Sequence, residues 1–389
     1  MSKSLSYVFV TPYTIAKSRT GGVISRLLSR TDLELVGARM FTPDNEFAKE
    51  YADILRKRES QRQLMLLADY AEKHFAPSGG RPNRMLMLLF FGENPCEKLA
   101  DVCGHLYTHH THLAALTGET IRDTYSDLIF SDNNPEEVRY FEPAVYTPRN
   151  QGEADAELKL IADFLENKEN LIENVEHPEP SKVERTLVII KPDNWKHSSS
   201  RPGAIIDMFS RTGLRIIGVK IHRFSLAQAL DFYGPVEPIL VDKLAPIFGK
   251  KAHEFLEKEF HLKLSKELSD SLSAGFGAEY ARDQFYQIVE FMSGKRPGNH
   301  TPEEMQKPGD VMCMILVYEG ENAVNEIRDV LGATDPNKAA GGTVRREFGS
   351  NVMVNTAHAS DSPESYEREQ NIVMINQNSL VSIIREQVR

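Results

Sequence analysis

Four short segments concentrate side chains able to handle phosphate: IKPDNWK (190–196), IRDVLGATDP (327–336), GGTVRREF (341–348) and VNTAHASDS (354–362). They supply Lys191, Arg328, Thr334, Arg345, Asn355 and a single histidine, His358. A lysine directly after an apolar run is a point charge on a long stem, and arginines present forked donors that match phosphate oxygens. An imidazole beside Ser360 and Asp361 adds a nucleophile able to accept a phosphoryl group. Each has an ordinary reading when taken singly, as a polar loop residue or an exposed base. Together they are the donors a polyphosphate would need, beside one candidate nucleophile.

The elements that must position these residues follow from an internal repeat. Segment 22–37 (GVISRLLSRTDLELVG) lies over 203–218 (GAIIDMFSRTGLRIIG) at an offset of 181, and YVFVTP (7–12) faces TLVIIKP (186–192). Farther on, 85–104 matches 311–332 at an offset of 228, so the second copy carries about 47 more residues, assigned to 234–279. Each copy reads strand, helix, strand, helical region, strand, helix and a final extended stretch, which in the second copy falls near 351–356. That order is the ferredoxin-like βαββαβ arrangement, an α+β fold with helices covering an antiparallel sheet. The chain therefore divides into a first copy (1–150), a linking helix over 153–175 with a Pro-containing linker (151–182 together), and a second copy (183–389).

The order of motifs in the second copy resembles the nucleoside diphosphate kinase family. The family pattern runs from an IKPD strand end through R-x-x-x-G-x-T-x-P and G-T-x-R to N-x-x-H-x-S-D-S, with a glutamate shortly after. Here these are Lys191-Pro192-Asp193, Arg328 to Pro336, Gly342 to Arg345, and Asn355 to Ser362, with Glu369 beyond. The resemblance covers about 184–372 apart from the inserted stretch. It implies ping-pong transfer through phosphohistidine: His358 receives the γ-phosphate of a nucleoside triphosphate and passes it to a different diphosphate. It also implies that Glu369 fixes the imidazole, that Ser360 serves the catalytic site, and that Arg328, Thr334 and Arg345 hold phosphates. Lys191 and Asn355 would meet the sugar 3′-hydroxyl and the phosphates. Magnesium would be carried by phosphate oxygens, with no protein metal cage.

Family members stack the nucleobase on a phenylalanine in a helical hairpin. In this chain the hairpin is replaced by 226–308. Phe285 is the nearest candidate for that ring, with Tyr280 upstream; Gln284 takes its place on a one-residue slip, and an amphipathic-helix core residue is the other reading of Phe285. The insertion, with FLEKEFHLKLSKEL (255–268), reads as helical, either lidding the site or packing on the first copy. The first copy lacks the chemistry: Thr11 faces Lys191, Ala100 faces Arg328, and His358 falls on Phe130 or a gap, while Arg122 alone matches Arg345. It is expected to be catalytically dead and to serve as a structural partner. His105, His109, His110 and His112 form a histidine-rich loop without the ligands to complete a zinc set.

Composition narrows the remaining classes. At 389 residues, 41% hydrophobic and 26% charged, the chain reads as globular, and its formal charge of −10 opposes non-specific attraction to nucleic acid or anionic membrane. RNA binding on this superfold needs aromatic platforms and a basic face, which strand TLVII does not offer. Three cysteines without CxxC spacing, no spanning apolar run and a polar start give the expectation of a cytoplasmic protein. The alternative to an active kinase is a nucleotide-binding or phosphohistidine-relay regulatory scaffold without general nucleotide exchange. Single-domain relatives form dimers that assemble further, so two copies in one chain are expected to pair as an intramolecular pseudo-dimer, with higher assembly made of such pairs.

Overall fold

The computed structural model describes residues 2–57, 62–105, 118–134, 137–173, 175–377 and 379–388. Ten strands occur among them: β1 (Lys3–Val10), β2 (Glu34–Phe41), β3 (Met85–Glu93), β4 (Asp127–Phe130), β5 (Val138–Glu142) and β6 (Val145–Tyr146), then β7 (Val183–Ile190), β8 (Arg215–His222), β9 (Cys313–Glu321) and β10 (Ala357–Ala359). Two four-stranded sheets run β2-β3-β1-β6 and β8-β9-β7-β10, the same order in each half, and β4 pairs β5 in a separate hairpin. Central strands such as LVII and MLMLL are apolar on both faces because each sheet is covered on both sides, and they are buried throughout.

The chain forms two compact units. One comprises Met1–Ile221, Met314–Glu367 and Met374–Arg389 and contains most of both sheets. The other comprises His222–Cys313 and Arg368–Val373. It is built on Leu226–Tyr233, the 25-residue helix Val236–Phe260, Lys266–Leu272 and Ala278–Ser293, so the inserted stretch is helical. His261 in a left-handed conformation ends the long helix, and Ser265 caps the next.

Two expected elements differ. The helix anticipated over 153–175 is Gln151–Leu165, capped by Asn150, and its Leu158, Ile161, Ala162 and Leu165 are part of the first sheet's core. It stops because the following backbone has other partners: Arg39 donates to the carbonyls of Lys168 and Glu169 at 2.7 Å each, and the Ile172 amide donates to Ile217 in β8 at 2.9 Å. The last strand is Ala357–Ala359 instead of 351–356, because the Asn351 side chain accepts from the amides of Met353 and Val354 and turns that segment out of extended form.

Within the first unit the halves are interleaved. Helices Thr20–Arg30 and Arg201–Ser210 cross where Gly21 and Gly203 meet backbone to backbone, and Ser25 donates to the Ser200 carbonyl at 2.9 Å. The C-terminal helix Ser379–Gln387 buries Leu380, Val381 and Ile384 in the core of the first sheet, with Leu380 against Gly37. Leu171 lies correspondingly against Gly218 of β8. Each half thus lends its trailing segment to the other's sheet.

Candidate functional site

The apolar run Thr186 to Ile190 makes β7 a central strand, and Lys191 emerges at its end with only 8% exposure. Its ammonium donates to Asn355 Oδ1 at 2.7 Å, while Asn355 Nδ2 donates to the Thr334 carbonyl at 3.1 Å. One buried amide therefore joins three of the sequence-selected positions. Burial pulls the Lys191 pKa down to about 7, and the Arg345 guanidinium adds to this while Asp193 opposes it.

Arg345 belongs to the short helix Val344–Phe348. Its guanidinium donates to the carbonyls of Gly332 and Ala357, both at 3.1 Å. Gly332 ends helix Ala323–Leu331 at φ 84°, and a Cβ there would stand 2.5 Å from Thr343 Oγ1, so the position favours glycine. The arginine thereby ties a helix terminus to the strand that carries His358. Arg328 sits exposed on that helix, whose opposite face buries Ala323, Val324, Ile327 and Leu331.

His358 lies in β10 opposite Ile189, partly exposed. Ser360 is fully buried, its amide donating to the Leu187 carbonyl at 3.0 Å and its hydroxyl accepting from the Leu187 amide at 3.3 Å. Through these bonds it pins the edge strand that carries His358. Glu369 is buried on helix Pro363–Ile372. Phe285 is 2% exposed on Ala278–Ser293, packed as a buried residue of that amphipathic helix. Tyr280 stacks on Phe248 with centroids 3.7 Å apart.

Sequence reasoning missed a supporting layer. Thr356 has φ 75°, unusual for a β-branched residue, and is held there by several bonds. Its carbonyl accepts from the Lys191 amide at 2.9 Å and Asn194 Nδ2 at 2.8 Å, and its hydroxyl accepts from Arg201 at 3.1 Å. Arg201 also pairs with Asp193 at 3.3 Å; burial raises the Asp193 pKa, with Arg201 and Lys191 opposing. No sequence signal marks Thr356, because the segment has no glycine to betray the turn.

The first half keeps this architecture without the donors. Ala144 has φ 59° and accepts from the Thr11 amide at 3.1 Å, and Arg122 donates to Gly104 and Val145 as Arg345 does to Gly332 and Ala357. The unusual backbone is therefore a property of the fold and not of catalysis. Tyr146, opposite Phe9 in β6, stands where His358 stands opposite Ile189. This corrects the expected match of His358 to Phe130, which belongs to the extra β4–β5 hairpin that shifts the register between the halves. Tyr146 is buried and donates to the Leu67 carbonyl at 2.7 Å. His109, His110 and His112 lie outside the described residues, and among the described residues no group of three metal-ligating side chains gathers.

The family model for nucleoside diphosphate kinase matches residues 184–238 and 246–379. That range takes in most of 234–279, leaving 239–245 unmatched, so the longer helical stretch is not wholly foreign to the family. A nucleoside diphosphate kinase of Bdellovibrio bacteriovorus is 33% identical over 187 residues, 48% of this chain and 89% of the relative. One of Halorhodospira halophila is 31% identical over the same length and shares. The solved NDP kinase of Pyrobaculum aerophilum is 25% identical, covering 49% of this chain and 94% of that one, with a TM-score of 0.33.

Proposed function

Because the chain belongs to the nucleoside diphosphate kinase family, we propose that residues 183–389 transfer the γ-phosphate of a nucleoside triphosphate to a nucleoside diphosphate by a ping-pong route through His358. A neutral imidazole nitrogen attacks the γ-phosphorus, a P–N bond forms, and the bond to the β–γ bridging oxygen breaks with its electron pair leaving on the diphosphate. A second diphosphate then attacks the phosphohistidine phosphorus through a terminal β-oxygen, and the P–N bond breaks to restore the imidazole.

The observation that carries this reading is the lysine–amide–arginine cluster around the strand bearing His358. Fixed donors in a partly desolvated pocket stabilise charge that spreads over the transferring group, without reorganising at the moment of reaction. Lys191 supplies a positive charge to the phosphates, and Asn355 holds the ammonium in place. Arg328 is an exposed donor for the outer phosphate oxygens. Arg345 has five N–H groups, enough for its two backbone carbonyls and a phosphate contact. The donors here are cationic and amide groups, which fit magnesium held by phosphate oxygens; when bound it neutralises phosphate charge.

The first half, with Thr11, Ala100 and Tyr146 at the corresponding positions, acts as a non-catalytic copy that pairs with the second as a pseudo-dimer across the Gly21–Gly203 crossing. The burial of Phe285 favours a second reading, a phosphohistidine relay without general nucleotide exchange. Incubating the full chain with γ-labelled ATP should give an acid-labile, base-stable phosphoenzyme, and adding GDP should discharge it to GTP. Labelling without discharge would select the relay. His358→Ala should abolish both steps while leaving the far-ultraviolet spectrum unchanged, and retained labelling would overturn the assignment.

A further inference from the structure

A cavity of about 340 Å³ opens in the first unit, lined by Arg81, Arg84 and Arg215 together with Glu176, Val175 and Pro82. It is remote from His358. Glu319, which accepts from His177 at 2.9 Å and from Arg185 at 2.8 Å, sits across from Arg185 near the start of β7, whereas His358 faces Ile189. Four residues of strand separate those positions, about 13 Å at the usual rise. Arg215 opens β8 at the same end as Glu319.

The cavity is short of negative charge. Arg84 donates to the Ile216 carbonyl at 2.9 Å and has no carboxylate at ion-pair distance among the described residues. Burial, with Arg215 alongside, pulls its pKa down to about 10, so it stays charged at neutral pH although largely desolvated. Glu319 acts on it from farther off and is already bound by Arg185 and His177. Glu176 spends its carboxylate on Arg81 at 2.7 Å, and its backbone carbonyl accepts from Arg215. A desolvated guanidinium without a counter-ion is costly, and an anion entering the cavity would relieve that cost. Three forked cations suit a group with several adjacent oxygens, and Val175 and Pro82 give an apolar wall beside it.

We propose that the Arg81–Arg84–Arg215 cavity is a binding site for a small molecule carrying a pyrophosphoryl group, separate from the His358 site. This does not depend on the phosphoryl-transfer reading. The test is calorimetric titration of the full chain with inorganic pyrophosphate and, separately, methyl diphosphate. Arg215→Gln should weaken binding by at least about tenfold, the usual value of a charge-assisted contact. Glu176→Gln, which removes the competing carboxylate, should tighten it, a gain that misfolding cannot mimic. Lys191→Met should leave it unchanged. Methyl diphosphate binding as tightly as pyrophosphate would assign the site to organic esters, and weaker binding would assign it to the free ion; both uphold the proposal. Loss in Lys191→Met with no effect of Arg215→Gln, or absence of saturation at millimolar concentrations, would overturn it.

Discussion

At the scale of single residues, the Lys191 ammonium gives the site an unusual pH signature. With its pKa pulled from the usual lysine value to about 7, the folded protein binds fewer protons than the unfolded chain between about pH 7 and 10.5. The burial penalty is therefore present in full below pH 7 and is relieved as pH rises, so the ligand-free protein should gain stability across that window. Nucleotide affinity should move the other way, since the neutral amine has no charge for phosphate. At pH 8, calorimetry in buffers of different ionisation enthalpy should show proton uptake on ADP binding, absent in Lys191→Met; equal uptake in the variant would place the proton elsewhere. Lys191, Asn355, Arg345 and His358 were legible because the motifs hold them at fixed spacing within contiguous segments. Phe285 was not, because the lengthened helical stretch gives no motif to fix the register, and an aromatic in an amphipathic helix reads equally as core. Tyr146 was hidden by the β4–β5 hairpin, which shifts the alignment just before the position it occupies.

Among the elements, the junction of helix Ala323–Leu331 with the Arg345 helix is the joint on which the site's geometry turns. A Cβ at Gly332 would lie 2.5 Å from Thr343 Oγ1, and the backbone there is left-handed. Gly332→Ala should cost about 1–3 kcal/mol of stability and displace the carbonyl that receives Arg345. The expected outcome is a lower rate of GTP formation with His358 still labelled slowly, read by single-turnover kinetics; an unchanged rate would show that the arginine does not need that anchor. Ser360→Ala should loosen β10 by removing the acceptor for the Leu187 amide, at about 1–3 kcal/mol for the orphaned group, measured by denaturant unfolding. The strand order and most helices were readable from alternation of apolar runs with amphipathic segments. The short last strand and the true end of the 151–165 helix were not, because side-chain turns and distant partners set them: Asn351 for one, Arg39 and β8 for the other.

For the whole molecule, Gly21 and Gly203 let two helices approach until a Cβ on Gly203 would stand 2.2 Å from the Gly21 carbonyl oxygen and 2.5 Å from the Ser25 amide. These are backbone atoms and cannot swing aside. Gly203→Val should cost about 1–3 kcal/mol or more and should raise the yield of cross-links between chains at the expense of those within one chain. Full retention of the internal cross-links would mean that the crossing is not what joins the halves. The C-terminal helix carries a different consequence. Leu380, Val381 and Ile384 complete a core whose other members come from residues 5 to 165. During synthesis from the N-terminus, domains ordinarily close as they emerge from the ribosome. Here the first half must wait with an open apolar groove until residues 379–387 have been added. A chain stalled or cleaved before residue 379 carries that groove uncovered, so unfinished copies differ from finished ones in a way that quality-control proteases and chaperones can recognise.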